Sequence, residues 1–116
     1  TGTRLPQDVT VSPVAPPVKD YPGRTVGSSS SQNAAMQADA EYLDSIGAKD
    51  IRVNQQQVDS AVCRVGICRP DLSATLPNGR RIIIEYDTTS STRAAGHATR
   101  TLSNDPNAIV ILRTVN

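Results

Sequence analysis

Apolar residues recur at intervals of three and four between residues 33 and 47, which is the spacing of one face of an α-helix. Ser31 or Asn33 can cap the start of this helix, and Gly47 follows as a stop signal. The pattern therefore predicts a first helix whose buried face is formed by Ala35, Met36, Ala40, Leu43 and Ile46.

The pattern then changes to the two-residue alternation of β-strands. Residues 50–55 and 69–76 alternate apolar with polar side chains, whereas residues 81–86 are apolar on both faces, as in a buried strand. Residues 77–79 include Asn-Gly, the strongest short hairpin signal. We therefore expect the second and third strands to pair as an antiparallel hairpin.

The last third of the chain predicts one more helix and one more strand. Polar residues 90–92 can cap a helix over about residues 93–102, in which Gly96 costs about 1 kcal/mol relative to alanine. Residues 108–112 form a last apolar strand. The order α-β-β-β-α-β predicts an α/β (α+β) fold, with one mixed sheet packed against helices.

Residues 1–32 differ in composition from the rest of the chain. Five of the eight prolines and a run of four serines lie there, and such sequence favours extended or unfolded conformations. We predict a linker or pre-domain segment over residues 1–32 and one domain over residues 33–116. The chain begins with Thr, so we expect it to be part of a longer protein.

Charge and composition narrow the function only slightly. The net charge of +1 does not indicate a polyanion partner, but ten of the twelve cationic residues are Arg, the residue best suited to grip phosphate. A solvated Arg-rich surface would have the same composition. Phe and Trp are absent, which argues against a surface that stacks single-stranded bases.

The two cysteines and the lack of long apolar runs argue against a zinc-binding protein and a membrane-spanning protein. Cys63 and Cys68 have no second pair and no histidine at ligand spacing, so we do not expect a zinc site. We predict ordinary thiols, with a disulfide as the alternative. No apolar run approaches the roughly 20 residues that a membrane-spanning helix needs, so we expect no membrane span.

Three carboxylates are expected to converge at one edge of the sheet. Asp71 opens the second strand, while Glu85 and Asp87 share one face at the end of the third. Like charges so close repel one another unless a cation intervenes, and carboxylate oxygens suit Mg²⁺ or Mn²⁺. The residues therefore predict a metal site for phosphodiester hydrolysis, with solvated surface acids as the alternative.

A Pro-Asp pair at residues 70–71, an acid at Glu85 after an apolar strand, and the order of elements resemble the PD-(D/E)-x-K nuclease superfamily. The resemblance covers about residues 33–116 and implies the restriction-endonuclease-like fold. It also implies that Asp71 and Glu85 are the motif acids, and that Glu41 is the additional acid that many members carry on the first helix.

Asp87 departs from this motif, because the superfamily usually has Lys two residues after the second acid. The resemblance then implies that another residue supplies the positive charge, and the nearest candidates are Arg93, Arg81 and His97. A changed mechanism or an inactive relative is the alternative. For His97, the only histidine, an ordinary surface position is equally open.

Four short runs are also similar to the C-terminal toxin domains of bacterial polymorphic toxins, of the contact-dependent growth inhibition or Rhs type: residues 52–55, 65–72, 85–88 and 103–106. This resemblance implies a monomeric, metal-dependent nuclease toxin that is secreted or delivered from the cell surface within a larger protein. It would act in the cytoplasm of a competing cell, on tRNA slightly more than DNA. A cognate immunity protein would neutralise it in the producer.

Two other functions fit the same residues. A metal-independent ribonuclease using His97 with an Arg or Tyr86 would remain active in EDTA and tolerate alanine at Asp71. A non-catalytic binding module would tolerate alanine at both Asp71 and Glu85.

Overall fold

The computed structural model describes residues 20–21, 24–27, 29–88 and 93–115. The described residues form one mixed sheet and two helices, which confirms the predicted α/β (α+β) class. In chain order the elements are α1 (Ser30–Ser45), β1 (Lys49–Val53), β2 (Leu72–Thr75), β3 (Arg81–Thr88), α2 (Arg93–Asn104) and β4 (Ile109–Val115).

The four strands lie in the spatial order β1-β2-β3-β4. The first three pair antiparallel, whereas β3 and β4 are parallel. The predicted hairpin is confirmed, with Leu72 opposite Ile84 and Thr75 opposite Arg81. Parallel neighbours need a crossover connection, which α2 provides. The residues predicted to cap α2, 90–92, lie outside the described residues.

Helix α1 packs on the face of the sheet that forms the main core. Met36, Ala40 and Leu43 are its buried residues, and they pack with strand residues from the same face: Ile51, Val53, Leu72, Ala74, Ile82, Ile84 and Tyr86. The helix begins earlier than predicted. Ser29 is the N-cap and accepts the backbone N–H of Gln32, so Ser31 and Asn33 are not caps.

The packed body begins before residue 33. The backbone N–H of Asp20 donates to the carbonyl of Ile51 at 3.0 Å, and the carboxylate of Asp20 accepts the N–H of Val53 at 2.8 Å. Tyr21 is buried in the core. Part of the predicted linker therefore lies along β1, while its residues 1–19 lie outside the described residues.

Strand β3 extends past the end of β2. Its pairing with β2 ends where Leu72 meets Ile84, but its pairing with β4 continues to Thr88 opposite Val115. We call residues 85–88 the overhang. Because successive side chains alternate between faces, Glu85 and Asp87 point away from the α1 core that holds Ile84 and Tyr86.

The long connection between β1 and β2 is fastened to the end of α2. The buried side chain of Gln57 donates to the carbonyl of Thr101 at 2.8 Å and accepts from Asn104 at 3.1 Å. Cys63 and Cys68 lie in this connection as free thiols. Neither described helix is both long and apolar enough to cross a membrane.

Candidate active site

A cavity of about 230 Å³ opens beside the overhang. The end of β3 and the residue before β2 provide its acids, and the first turns of α2 provide its cations. Five of the six residues predicted as a site line this cavity together: Asp71, Glu85, Asp87, Arg93 and His97. Its remaining walls are Val26, Gln32, Tyr86 and Ala94.

Glu41, the sixth predicted residue, does not line the cavity. It is exposed on α1, and Gln32 in the first turn of the same helix lines the cavity instead. Nine residues separate the two, which is about 13 Å along a helix axis. The only sequence signal for Gln32 was its position three residues after a capping serine, which is typical of a capping box.

Asp71 and Glu85 form a close acidic pair. Oδ2 of Asp71 accepts the backbone N–H of Tyr86 at 2.8 Å, and the carboxyl groups of Asp71 and Glu85 line the same cavity. Burial raises the pKa of both acids. For Glu85, burial and then the charge of Asp71 raise the pKa from 4.5 to about 8. Glu85 therefore holds a proton at neutral pH.

No cation contacts this acidic pair within the described part of the chain. The ion pairs found there involve other acids, and Oε2 of Glu85 is buried without a hydrogen-bond partner. The positive charges of His97 and Arg100 act on Asp71 and Glu85 only through space. Burial of unpaired carboxyl groups is costly, so this arrangement favours binding of a cation.

Asp87 lies two residues beyond Glu85 on the same face of β3. It is mostly buried, and its Oδ1 accepts the backbone N–H of Thr88 at 3.1 Å. The structure thus places a third acid where the resemblance implies a lysine. The basic residues that line the cavity are Arg93 and His97.

Arg81, the other suggested source of positive charge, does not reach the cavity. Its guanidinium is fully buried and lies 3.0 Å from Oδ2 of Asp50, and it also donates to Ser73 and Thr75. Thr75 marks the opposite end of the hairpin from the overhang. The interpretation of Arg81 as the replacement cation is therefore wrong, because Asp50 neutralises it.

Tyr86 is held on both sides of β3. Its backbone binds Asp71, and its carbonyl accepts a long hydrogen bond from the amide of Gln32 at 3.5 Å. On the α1 side, its hydroxyl donates to Asp39 at 2.7 Å, and Arg113 donates to the same carboxylate oxygen. Burial raises the pKa of Tyr86. Its hydroxyl is therefore bound to Asp39 and is not a free proton donor for His97.

In the described ranges, no three side chains among His, Cys, Asp and Glu form a group arranged to hold a metal ion. Oxygens at this end of β3 include those of Asp71, Glu85 and Asp87 and the carbonyl of Tyr86. That carbonyl lies on the same edge of β3 as the Tyr86 N–H, which faces Asp71.

Comparisons with models of protein families, with curated protein sequences and with solved structures returned no match. The residues of the cavity and the sequence resemblance to nucleases are therefore the grounds on which a function can be proposed.

Proposed function

We propose that this chain is a metal-dependent nuclease with a restriction-endonuclease-like core. The observation that supports this best is the pair of Glu85, which is buried, and Asp71, which is half-buried. Within the described part of the chain neither acid has an ion-pair partner, and both line an open cavity beside Arg93 and His97. The order α-β-β-β-α-β, with β3 and β4 parallel, is compatible with that core.

Asp71, Glu85 and the carbonyl of Tyr86 would hold Mg²⁺ or Mn²⁺, because hard oxygen ligands are those that these ions prefer. Asp87 would complete the acidic set from the same face of β3. When bound, such an ion lowers the pKa of a water molecule and polarises a phosphoryl oxygen. Glu85 would release its proton on binding, since only the carboxylate is a good ligand.

The cations at the cavity would act on the phosphate. Arg93 can donate charge-assisted hydrogen bonds to phosphoryl oxygens and stabilise the charge that develops there. His97 can pass a proton to the leaving oxygen. Together they would supply the positive charge of the motif lysine, whose position is occupied by Asp87 in this chain.

The toxin context is proposed from the sequence resemblance. The nuclease would be delivered by a larger secreted or cell-surface protein and would cleave nucleic acid in the cytoplasm of a competing bacterium, with tRNA favoured over DNA. A cognate immunity protein would protect the producer.

The test is incubation of the purified protein with total tRNA and with plasmid DNA, in Mg²⁺, in Mn²⁺ or in EDTA. We expect cleavage of one substrate that requires metal and that is lost in Asp71→Asn and Glu85→Gln. Glu41→Gln is the matched control, because it removes an exposed acid outside the cavity. Cleavage that persists in EDTA, or in Asp71→Asn, would overturn the proposal.

The presence of His97 and Arg93 beside a carboxylate favours one second candidate, a metal-independent ribonuclease. In that mechanism the 2′-hydroxyl attacks the phosphate, so DNA would not be cleaved. RNA cleavage would persist in EDTA and would be abolished by His97→Ala, which separates the two candidates in the same assay.

A further inference from the structure

Helix α2 carries positive charges and no negative charge. Its twelve residues include Arg93, His97 and Arg100, and none is Asp or Glu. At 3.6 residues per turn, these three positions fall within about 60° of one another around the helix. They therefore form one basic stripe, about 10 Å long from the first Cα to the last.

The stripe begins at the cavity and leads away from it. Arg93 and His97 line the cavity, whereas Arg100 lies beyond its walls. A Cβ atom at Gly96 would be 3.7 Å from a terminal nitrogen of Arg100, so this guanidinium lies back over Gly96, towards the N-terminus of α2. Arg100 is close enough to favour the ionised form of Glu85. The three cations thus lie on the side of α2 that contains the cavity.

These cations are not used to hold the fold together. Within the described part of the chain, none of the three forms a hydrogen bond or an ion pair, and both arginines are exposed. Gly96 and Ser103, the exposed residues that flank the stripe on one side, are small. A long anionic ligand could therefore lie along this side of α2 without steric hindrance, and the helix N-terminus would add to the attraction.

We propose that this basic stripe binds the phosphodiester backbone of the nucleic acid that enters the cavity, with Arg100 holding a phosphate that flanks the one at Arg93. The inference rests on the proposed function, because it takes the phosphate at Arg93 as the one to be cleaved. A phosphodiester backbone is assigned as the ligand of the stripe because its negative charge complements the stripe, and because the stripe is continuous with the acidic cavity. Arg100 is then a binding residue outside the reacting centre.

The test measures binding without cleavage. Fluorescence anisotropy in EDTA would follow a labelled tRNA and a labelled DNA duplex over a range of salt concentrations, with wild type, Arg100→Gln and Arg80→Gln. Arg80 is a matched control, because it is an exposed arginine at the opposite end of β3 whose side chain donates to the carbonyl of Asn107. Both variants lower the net charge equally.

We expect Arg100→Gln to weaken binding about fivefold at 0.1 M salt and to reduce the slope of log K against log salt by about 1, while Arg80→Gln changes neither. The probe whose slope depends on Arg100 identifies the substrate as RNA or DNA. Equal effects of the two variants, or no salt-dependent binding of either probe, would overturn the proposal.

The two proposals fail in different ways. If binding depends on Arg100 but no metal supports cleavage, the stripe is a binding surface and the proposed nuclease activity is rejected. Metal-dependent cleavage by a protein whose binding is indifferent to Arg100→Gln would retain the nuclease and reject the stripe.

Discussion

The backbone N–H of Tyr86 and the carboxylate of Asp71 form a 2.8 Å hydrogen bond that continues the hairpin beyond its last backbone pair. The carboxylate thus takes the place that a backbone carbonyl of β2 would otherwise occupy. After burial, the charge of the same side chain is the largest cause of the raised pKa of Glu85. Asp71 therefore has both a structural role and a chemical one, and substitutions can separate them.

Asp71→Asn should remove activity and preserve the fold. The amide oxygen still accepts the N–H of Tyr86, but the negative ligand is lost, so we expect a fall in cleavage rate of about 100-fold or more. Asp71→Ala should lose the acceptor as well and cost a further 1–3 kcal/mol or so of unfolding free energy. Cleavage rates and urea unfolding would measure the two effects. Equal stability of the two variants would contradict the structural role.

Glu85 should make the folded protein less stable at alkaline pH. Its pKa rises from 4.5 to about 8 on folding, so between these values the folded chain holds a proton that the unfolded chain has released. The stability from this proton is complete below about pH 4.5 and is lost as the pH rises through 8. The charge of Asp71 raises the pKa of Glu85 further, and the charge of Arg100 does not reverse this sign, because burial is the largest cause of the shift.

We therefore expect a lower Tm at pH 9 than at pH 6, measured by differential scanning fluorimetry in EDTA. Glu85→Gln should flatten this dependence, since the amide does not titrate. Wild-type and variant curves of the same slope would contradict the assignment. Saturating Mn²⁺ should restore much of the loss at pH 9, because a ligand that binds only the folded state stabilises it.

Gly66→Ala should detach the β1–β2 connection from α2. Gly66 has φ of +68°, and a Cβ there would collide with the side-chain amide of Asn104. We expect a cost of about 2–4 kcal/mol from left-handed strain together with overpacking. Gly79→Ala is the control, because its φ is +87° but no atom lies within 4 Å of the new Cβ. It should cost only about 1–2 kcal/mol in the same urea titration.

Arg81→Met should destabilise the protein without changing the chemistry at the cavity. It leaves the buried carboxylate of Asp50 with Arg52 as its remaining ion-pair partner, at 2.8 Å, and loss of a buried partner typically costs about 3–5 kcal/mol. Arg80→Met, an exposed neighbour, should cost less than about 0.5 kcal/mol. The cleavage rate per folded molecule should be the same in both. A selective loss of rate in Arg81→Met would restore this residue to the candidate site.

The features that the sequence predicted depend on local pattern. Alternation and the Asn-Gly turn determine the hairpin, and side-chain parity along β3 places Glu85 and Asp87 on one face. The hairpin register then brings Asp71 to them. None of these steps requires knowledge of a distant contact, and all three acids line the cavity as expected.

The features that were missed depend on distant contacts. The packing of Met36 and Ala40 on the sheet determines which part of α1 lies beside the cavity. Helical periodicity alone therefore could not show that Gln32, and not Glu41, lines the cavity. Arg81 has its partner at Asp50, which is 31 residues away in the chain. Strand β3 is longer than predicted because its pairing with β4 continues to Thr88. The residues at the end of β3 are polar, so the apolar pattern did not predict that the strand continues there.

The free edge of the overhang exists because β2 has four residues where β3 has eight. If an insertion before residue 71 prolonged β2 by one more pair, a backbone carbonyl would accept the N–H of Tyr86 in place of the Asp71 carboxylate, while the α1 core stayed intact. Related chains could therefore keep this architecture and gain or lose the position of this carboxylate beside Glu85 through a length change alone. When such chains are compared, the number of residues in the second strand would be as informative as the identity of the acids.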